Sequence, residues 1–276
     1  MKLSAYLDRI GYTGPVAPER RCLDAIHRHH LLAITYENLD VQLRRPLDLD
    51  PERIFDKIVD RRRGGWCYEM NGLLGWALAE IGFDVMRMVG AVARQARGDE
   101  MLGNHLVLAV QLDGPRIADV GLGNGLLEPI PLREGSVRQG ARTFRLESLG
   151  GDLWRFHNSE GVMPPDFDFV YAPADEARLE QTCQQLQTEP ESKFRQNLIC
   201  MRRRTDGTDF LLGRVWIVYG PDGSKTKRLV ETEDAFVELL RDRFQLDDPE
   251  LPSLWPAVVE RHRTLFGEVE AEAIPI

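Results

Sequence analysis

Around Asp84 the apolar residues of the chain change their period, and that change most limits the fold it can adopt. Upstream, MNGLLGWALAEIGF puts Met70, Leu73, Leu74, Ala77, Leu78 and Ile81 at the i, i+3, i+4, i+7 spacing of one helical face, with Gly82 where a C-terminal cap belongs. Downstream, VMRMVGAVAR (85–94), HLVLAVQL (105–112) and RIADVGLG (116–123) are short, β-rich and bounded by Gly, Asn, Asp and Pro. Further strand candidates fall at 142–146, 153–158 and 168–171. The first 83 residues are predicted helical, with starts at Ser4, after Pro18, and at Asp50-Pro51-Glu52, where Pro takes the position whose N–H would be orphaned. A polar stretch rich in Gln and Glu (176–192) precedes two strand-like runs, FRQNLICMRR and DFLLGRVWIVYG. TEDAFVELLRDRF and SLWPAVVERHRTLF close the chain as helices. The order is helical, then an antiparallel sheet or small barrel, then mixed α/β.

The 276 residues, 43% hydrophobic and 29% charged, suit one large domain or two to three small ones. No run approaches the roughly 18 apolar residues that span a bilayer, and MKLSAYLDRIGY lacks the apolar region of a secretory signal. A cytoplasmic protein without a membrane partner is expected. Its four cysteines (Cys22, Cys67, Cys183, Cys200) form no CxxC pair and are expected to be reduced. The net charge of −9 argues against a nucleic-acid partner. Arg61–Arg63 and Arg202–Arg204 run against that balance, and read first as solvated faces and second as phosphate contacts. His27 and His30 share a helical face, but His29 points away and no second cluster completes a metal site, so they are expected to pack or hydrogen-bond.

Cys67 shares the buried face of its helix with Met70 and Leu74, the usual setting of a packing thiol. It also opens that helix, just after Gly64-Gly65, where unpaired N–H groups and the helix dipole favour an anion and present oxyanion donors. A thiolate needs a base and a residue to orient it. His105 opens one strand and Asp119 lies in the next, beyond Asp113-Gly114-Pro115. A turn centred on Asp113 sets Asp119 opposite Val107 and diagonal to His105; a turn centred one residue later keeps them apart. By spacing alone both registers stay open.

Arg63-Gly64-Gly65-Trp66-Cys67-Tyr68-Glu69-Met70-Asn71 resembles the RGGxCxExN signature of the arylamine N-acetyltransferases. Ile34-Thr35-Tyr36-Glu37-Asn38-Leu39 is similar to the family's IPFENL element, with Thr-Tyr in place of Pro-Phe. Asn104-His105-Leu106-Val107-Leu108 and Asp119-Val120-Gly121-Leu122-Gly123 continue the match in order. The resemblance implies an α+β fold with an N-terminal helical bundle (1–84), a central antiparallel β-barrel (85–192) and a C-terminal α/β lid (193–276). These would surround a cysteine-protease-like core of Cys67, His105 and Asp119. It implies acetyl transfer from acetyl-CoA as co-substrate, with no permanent cofactor and no metal, to an arylamine or hydrazine through an acetyl-cysteine. Glu37 and Arg63 would pair to hold the cysteine loop, with Gly64 and Gly65 as its mounting. Gly123 would admit the thioester arm. Leu122, where the family commonly has an aromatic residue, would leave a roomier acceptor pocket. An amide synthase acting on polyketide or other acyl thioesters, a Cys-His-Asp hydrolase and a binding protein without catalysis are the competing readings.

Overall fold

The computed structural model describes residues 1–221, 224–267 and 274. The helical part comprises α1 (Leu3–Ile10), α2 (Arg20–Ala33), the two-residue strand β1 (Tyr36–Glu37), α3 (Leu39–Gln42), α4 (Pro51–Phe55) and α5 (Cys67–Ile81). The Asp50 carboxylate accepts the Glu52 N–H at 2.8 Å and Pro51 opens α4, as the start signal predicts. Ser4 is not a cap: α1 begins at Leu3, which joins Leu7 against the helical core, so burial of Leu3 extends the helix one residue. Gly82 ends α5 in the left-handed conformation at φ 104°, which glycine adopts without steric cost.

The barrel strands are β2 (Asp84–Val92), then, after the short α6 (Arg94–Arg97), β3 (His105–Leu112), β4 (Gly114–Ala118), β5 (Ile130–Pro131), β6 (Gly135–Gln139), β7 (Arg142–Gly150), β8 (Leu153–His157) and β9 (Asp166–Val170). They form one antiparallel sheet in the order β5-β4-β3-β2-β9-β8-β7-β6, curled into a nearly closed barrel. Gln139 of β6 accepts the Leu127 N–H at 2.9 Å and donates to the Glu128 carbonyl at 2.7 Å, joining the two edges near β5. Phe144, Phe156, Phe167 and Phe169 fill the interior with Met88, Val107 and Ile117.

The stretch 176–192 contains α7 (Glu176–Thr188), capped by Asp175. It buries only Leu179, Cys183 and Gln187, a stripe too thin to produce a clear apolar period. After α8 (Lys193–Gln196) come β10 (Ile199–Arg204), β11 (Gly207–Leu212), β12 (Val215–Tyr219), β13 (Lys225–Leu229), α9 (Glu233–Asp242) and α10 (Trp255–Phe266). The second sheet has the order β1-β10-β11-β12-β13 and takes its edge strand from the helical part, with Tyr36 opposite Met201 and Glu37 opposite Cys200. Among the described residues no helix is long and apolar enough to cross a membrane.

Candidate active site

The cysteine loop is seated on β1 by its two glycines. The Gly65 N–H donates to the Thr35 carbonyl at 3.2 Å, and the Glu37 N–H to the Gly65 carbonyl at 3.0 Å, so that Tyr36 and Gly65 form an isolated parallel bridge. A Cβ on Gly64 would lie 2.2 Å from the Thr35 carbonyl oxygen, and one on Gly65 would lie 2.8 Å from Glu69 Cβ. Close approach requires glycine at both positions. The ITYENL and RGG segments, far apart in sequence, are therefore two sides of one contact.

Beneath this contact lies a buried group of charges. Lys57 Nζ reaches Glu69 Oε2 and Asp40 Oδ2 at 2.9 Å each and Glu37 Oε1 at 3.7 Å. Arg63 reaches Asp248 at 2.5 Å, Asp40 at 3.1 Å and Glu37 at 3.5 Å, so the expected Glu37–Arg63 pair is present as the longest of three contacts. Glu69 also accepts the Trp66 N–H at 3.2 Å, fixing the start of α5. Burial pushes the Glu69 carboxyl up to about 7 against the pull of Lys57, with Glu37 adding to the rise. Burial acts the same way on Asp40, but Lys57 and Arg63 outweigh it and hold Asp40 well below the usual carboxylate range. Burial opposes the Lys57 ammonium, yet Glu37, Glu69 and Asp40 hold it above its ordinary value.

Cys67, at 3% exposure, is the first residue of α5. His105 is the first residue of β3, opposite Gly90 of β2. The β3–β4 pairing sets Leu112 against Gly114 and Leu108 against Ala118, so the turn is centred on Asp113. Asp119, one residue past β4, accordingly reaches His105, with its Oδ2 2.8 Å from His105 Nε2. The Cys67 side chain lies close enough to His105 to favour its charged form, and Nδ1 is the ring nitrogen that Asp119 leaves free. Cys67 Sγ also lies 3.8 Å from the Asn104 carbonyl oxygen. Burial disfavours an imidazolium, but the Asp119 charge and hydrogen bond, helped by Cys67, raise His105 to about 10. Burial likewise disfavours the Asp119 carboxylate. Here the His105 cation, its hydrogen bond, Asn71 and the Gly121 N–H together lower it.

Asn71 completes the assembly and was not singled out by spacing, although it stands at i+4 from Cys67. Its Nδ2 donates to Asp119 Oδ1 at 2.8 Å and to the Leu106 carbonyl at 2.6 Å, and its Oδ1 accepts the Val120 N–H at 2.9 Å. Gly121 matters more than its neighbours suggested: a Cβ there would lie 2.6 Å from Asn71 Nδ2 and 3.0 Å from Cys67 Cα. Gly123, at φ 68°, abuts Tyr36 and Met201, while Leu122 is buried in the barrel core. His27 and His30 are buried and hydrogen-bonded, to Leu127 and Asp119 and to Tyr6 respectively.

The arginine runs meet the solvated-face expectation only in part. Arg61 and Arg62 are exposed, but Arg63 is buried among carboxylates. Arg202 bonds Thr35 and Gln245, Arg203 bonds Asn124, and Arg204 pairs with Asp206 and Asp209. Folding brings internal acceptors to Arg202 and Arg203, while Arg204 shares its guanidinium between buried Asp209 and exposed Asp206.

Comparison with known proteins agrees with this geometry. A family model described as N-acetyltransferase matches residues 21–250. The arylamine N-acetyltransferase of Mycolicibacterium smegmatis is 36% identical over 255 residues, covering 90% of this chain and 92% of its own. Arylamine N-acetyltransferase 1 of Oryctolagus cuniculus is 30% identical, with 96% of this chain and 99% of its own covered. The solved structure of Mycobacterium marinum arylamine N-acetyltransferase in complex with CoA has a TM-score of 0.84 at 32% identity, covering 94% of this chain and 99% of its own. The buried cysteine, histidine and aspartate, the two glycines behind them and these relatives agree: the chain belongs to the arylamine N-acetyltransferase family.

Proposed function

We propose that this acyltransferase moves the acetyl group of acetyl-CoA to arylamines, and to hydrazines, through an acetyl-Cys67 intermediate. The observation that carries the reading is the 2.8 Å contact of His105 with Asp119 beside the Cys67 thiol at the first residue of a helix. The Cys67 thiolate attacks the thioester carbonyl, and backbone N–H groups at the start of α5 receive the oxyanion. The bond from the carbonyl carbon to the CoA sulfur breaks, and the His105 imidazolium gives its proton to that sulfur. In the second half the amine nitrogen attacks acetyl-Cys67 and passes a proton to His105. Cys67 leaves as thiolate, which restores the original pair. Asp119 holds the ring and balances its charge throughout. An aromatic amine is neutral at pH 7, so one imidazole suffices as base.

Glu37, Arg63, Gly64 and Gly65 hold the cysteine loop in this scheme, and Gly123 keeps the approach of the thioester arm open. Leu122, smaller than an aromatic ring, enlarges the acceptor pocket. The residue ranges 1–84, 85–192 and 193–276 serve as its helical, barrel and lid domains. A reducing, cytoplasmic setting fits four free cysteines. Incubation with acetyl-CoA followed by peptide mass spectrometry tests the mechanism: one acetyl group is expected on the Cys67 peptide, removed on adding an arylamine and absent in Cys67→Ala. Free acetate released without amine dependence would instead make the chain a hydrolase.

A further inference from the structure

His27 lies within α2, fully buried, and its two ring nitrogens serve two different backbone groups. Nε2 accepts the Asp119 N–H at 3.2 Å, and Nδ1 lies 3.0 Å from the Leu127 carbonyl oxygen. The first contact needs a bare Nε2 and the second needs a protonated Nδ1, so the ring is neutral and held in one tautomer. Burial favours the same state and pulls the imidazole down to about 4, against the opposing effects of the Leu127 carbonyl and Asp119.

Asp119 and Leu127 are the two ends of DVGLGNGLL, a segment with glycines at 121, 123 and 125. Three glycines give such a segment more backbone freedom to lose than ordinary residues would. Its middle is tied through Asn124, whose carbonyl accepts from Arg142 and whose side chain accepts from Arg203 and Thr208. His27 touches both ends at once. At the Asp119 end it fixes the peptide N–H, while Asn71 and the Gly121 N–H fix the carboxylate. The carboxylate that aims His105 is thus held from its backbone as well as from its oxygens.

We propose that His27 is a positioning residue for acyl transfer: a neutral clamp that closes the 119–127 loop and sets Asp119 so that His105 faces Cys67. The proposal rests on the reading of Cys67, His105 and Asp119 as the catalytic residues. A clamp of this kind predicts different outcomes for side chains that replace one nitrogen or the other. Gln places an acceptor near the position of Nε2 and keeps the Asp119 contact. Asn places a donor near the position of Nδ1 and keeps only Leu127. Leu keeps neither.

The experiment measures acetyl-Cys67 formation from acetyl-CoA in a single turnover, and separately Cys67 alkylation by iodoacetamide at pH 7, in all three variants. His27→Leu and His27→Asn are expected to slow both by roughly 10- to 100-fold, as misplacement of a catalytic group does, with His27→Gln within about threefold of wild type. Steady-state kcat is expected to fall while the KM for the arylamine stays within about twofold. Wild-type rates in His27→Leu would overturn the proposal, as would equal impairment of the Gln and Asn variants, which would mark a packing role. If His27→Leu does not fold, the Gln–Asn comparison decides. Failure of the wild type to form acetyl-Cys67 would sink the parent reading instead, while the alkylation rates still judge the clamp.

Discussion

The molecule buries two ionic groups within a few residues of each other, and they are built on opposite plans. Around Lys57, two cations with fixed charge face several carboxylates, and Arg45 at the rim adds contacts to Asp40, Asp248 and Glu250. Around Asp119, a single carboxylate faces a single ring that gains and loses a proton. The first arrangement tolerates burial because opposite charges are packed at hydrogen-bond distance, and it works as a fastening. The second leaves the charge state of one member free to change, which acid–base chemistry requires. Burial alone therefore does not mark a candidate catalytic group, and neither does a titrating member, since Glu69 is itself raised to about 7. What sets the Asp119 pair apart is a titrating ring placed beside a thiol.

The comparison breaks most sharply at Asp119. Asp119→Asn keeps the shape and removes the charge, and is expected to lower kcat about 10³- to 10⁴-fold. A thermal melt at pH 7 should shift less than that of Lys57→Met, because His105 can release its proton once the partner charge is gone. Lys57→Met should do the reverse, leaving Glu69 buried without a cation, Glu37 with Arg63 alone, and Asp40 with Arg63 and Arg45. It is expected to cost about 3–5 kcal/mol in urea denaturation, with activity per folded molecule retained in large part. If Lys57→Met instead abolished activity at full stability, the division into fastening and chemistry would fall.

Titration sharpens the contrast. His105 is raised from 6.5 to about 10, so the native state holds its proton more tightly; that stabilisation is full below pH 6.5 and is lost as pH rises to about 10. Glu69 is raised from 4.5 to about 7, so the stability it lends is present below pH 4.5 and lost as pH rises through 7. Asp40 is lowered, and its contribution, present above 3.8, disappears as pH falls through its folded value. Stability measured between pH 7 and 10 should therefore decline more steeply in the wild type than in His105→Asn. Between pH 4.5 and 7, Glu69→Gln should remove a downward component. The smallest effect is expected at the rim, where Arg45 is 28% exposed: Arg45→Ala should cost no more than about 1 kcal/mol and lose that effect in high salt.

Local chemistry was legible in the sequence and long-range chemistry was not. The presence of the β3–β4 hairpin, though not its register, the α5 cap at Gly82 and the Asp50-Pro51 start depend on neighbouring residues, so pattern and turn rules reach them. The pairing of Tyr36 with Met201 depends on residues 165 positions apart by number, and a two-residue strand carries no period of its own. Cys67, His105 and Asp119 could be picked out as a candidate site, and the structure brings them together, because their residue types are rare and their elements well marked. Lys57, Asn71 and His27 were not singled out as part of the site, because a lone Lys, Asn or His inside a helix acquires meaning only from what it touches. The arginines at 202–204 misled for a related reason: a charge run looks solvated until strand pairing shows what accepts its protons.

Asn71 ties α5 to β3 through Leu106 and to the segment after β4 through Asp119 and Val120, one helical turn from Cys67. Rotation of α5 by a single residue, about 100°, would withdraw the thiol and the amide from their partners together. On the proposed role of Cys67 as nucleophile, its thiol reactivity is a gauge of tertiary order. In a refolding experiment, rapid alkylation of this one cysteine would report that helix and barrel have locked in register, a moment that far-ultraviolet spectroscopy of secondary structure does not register.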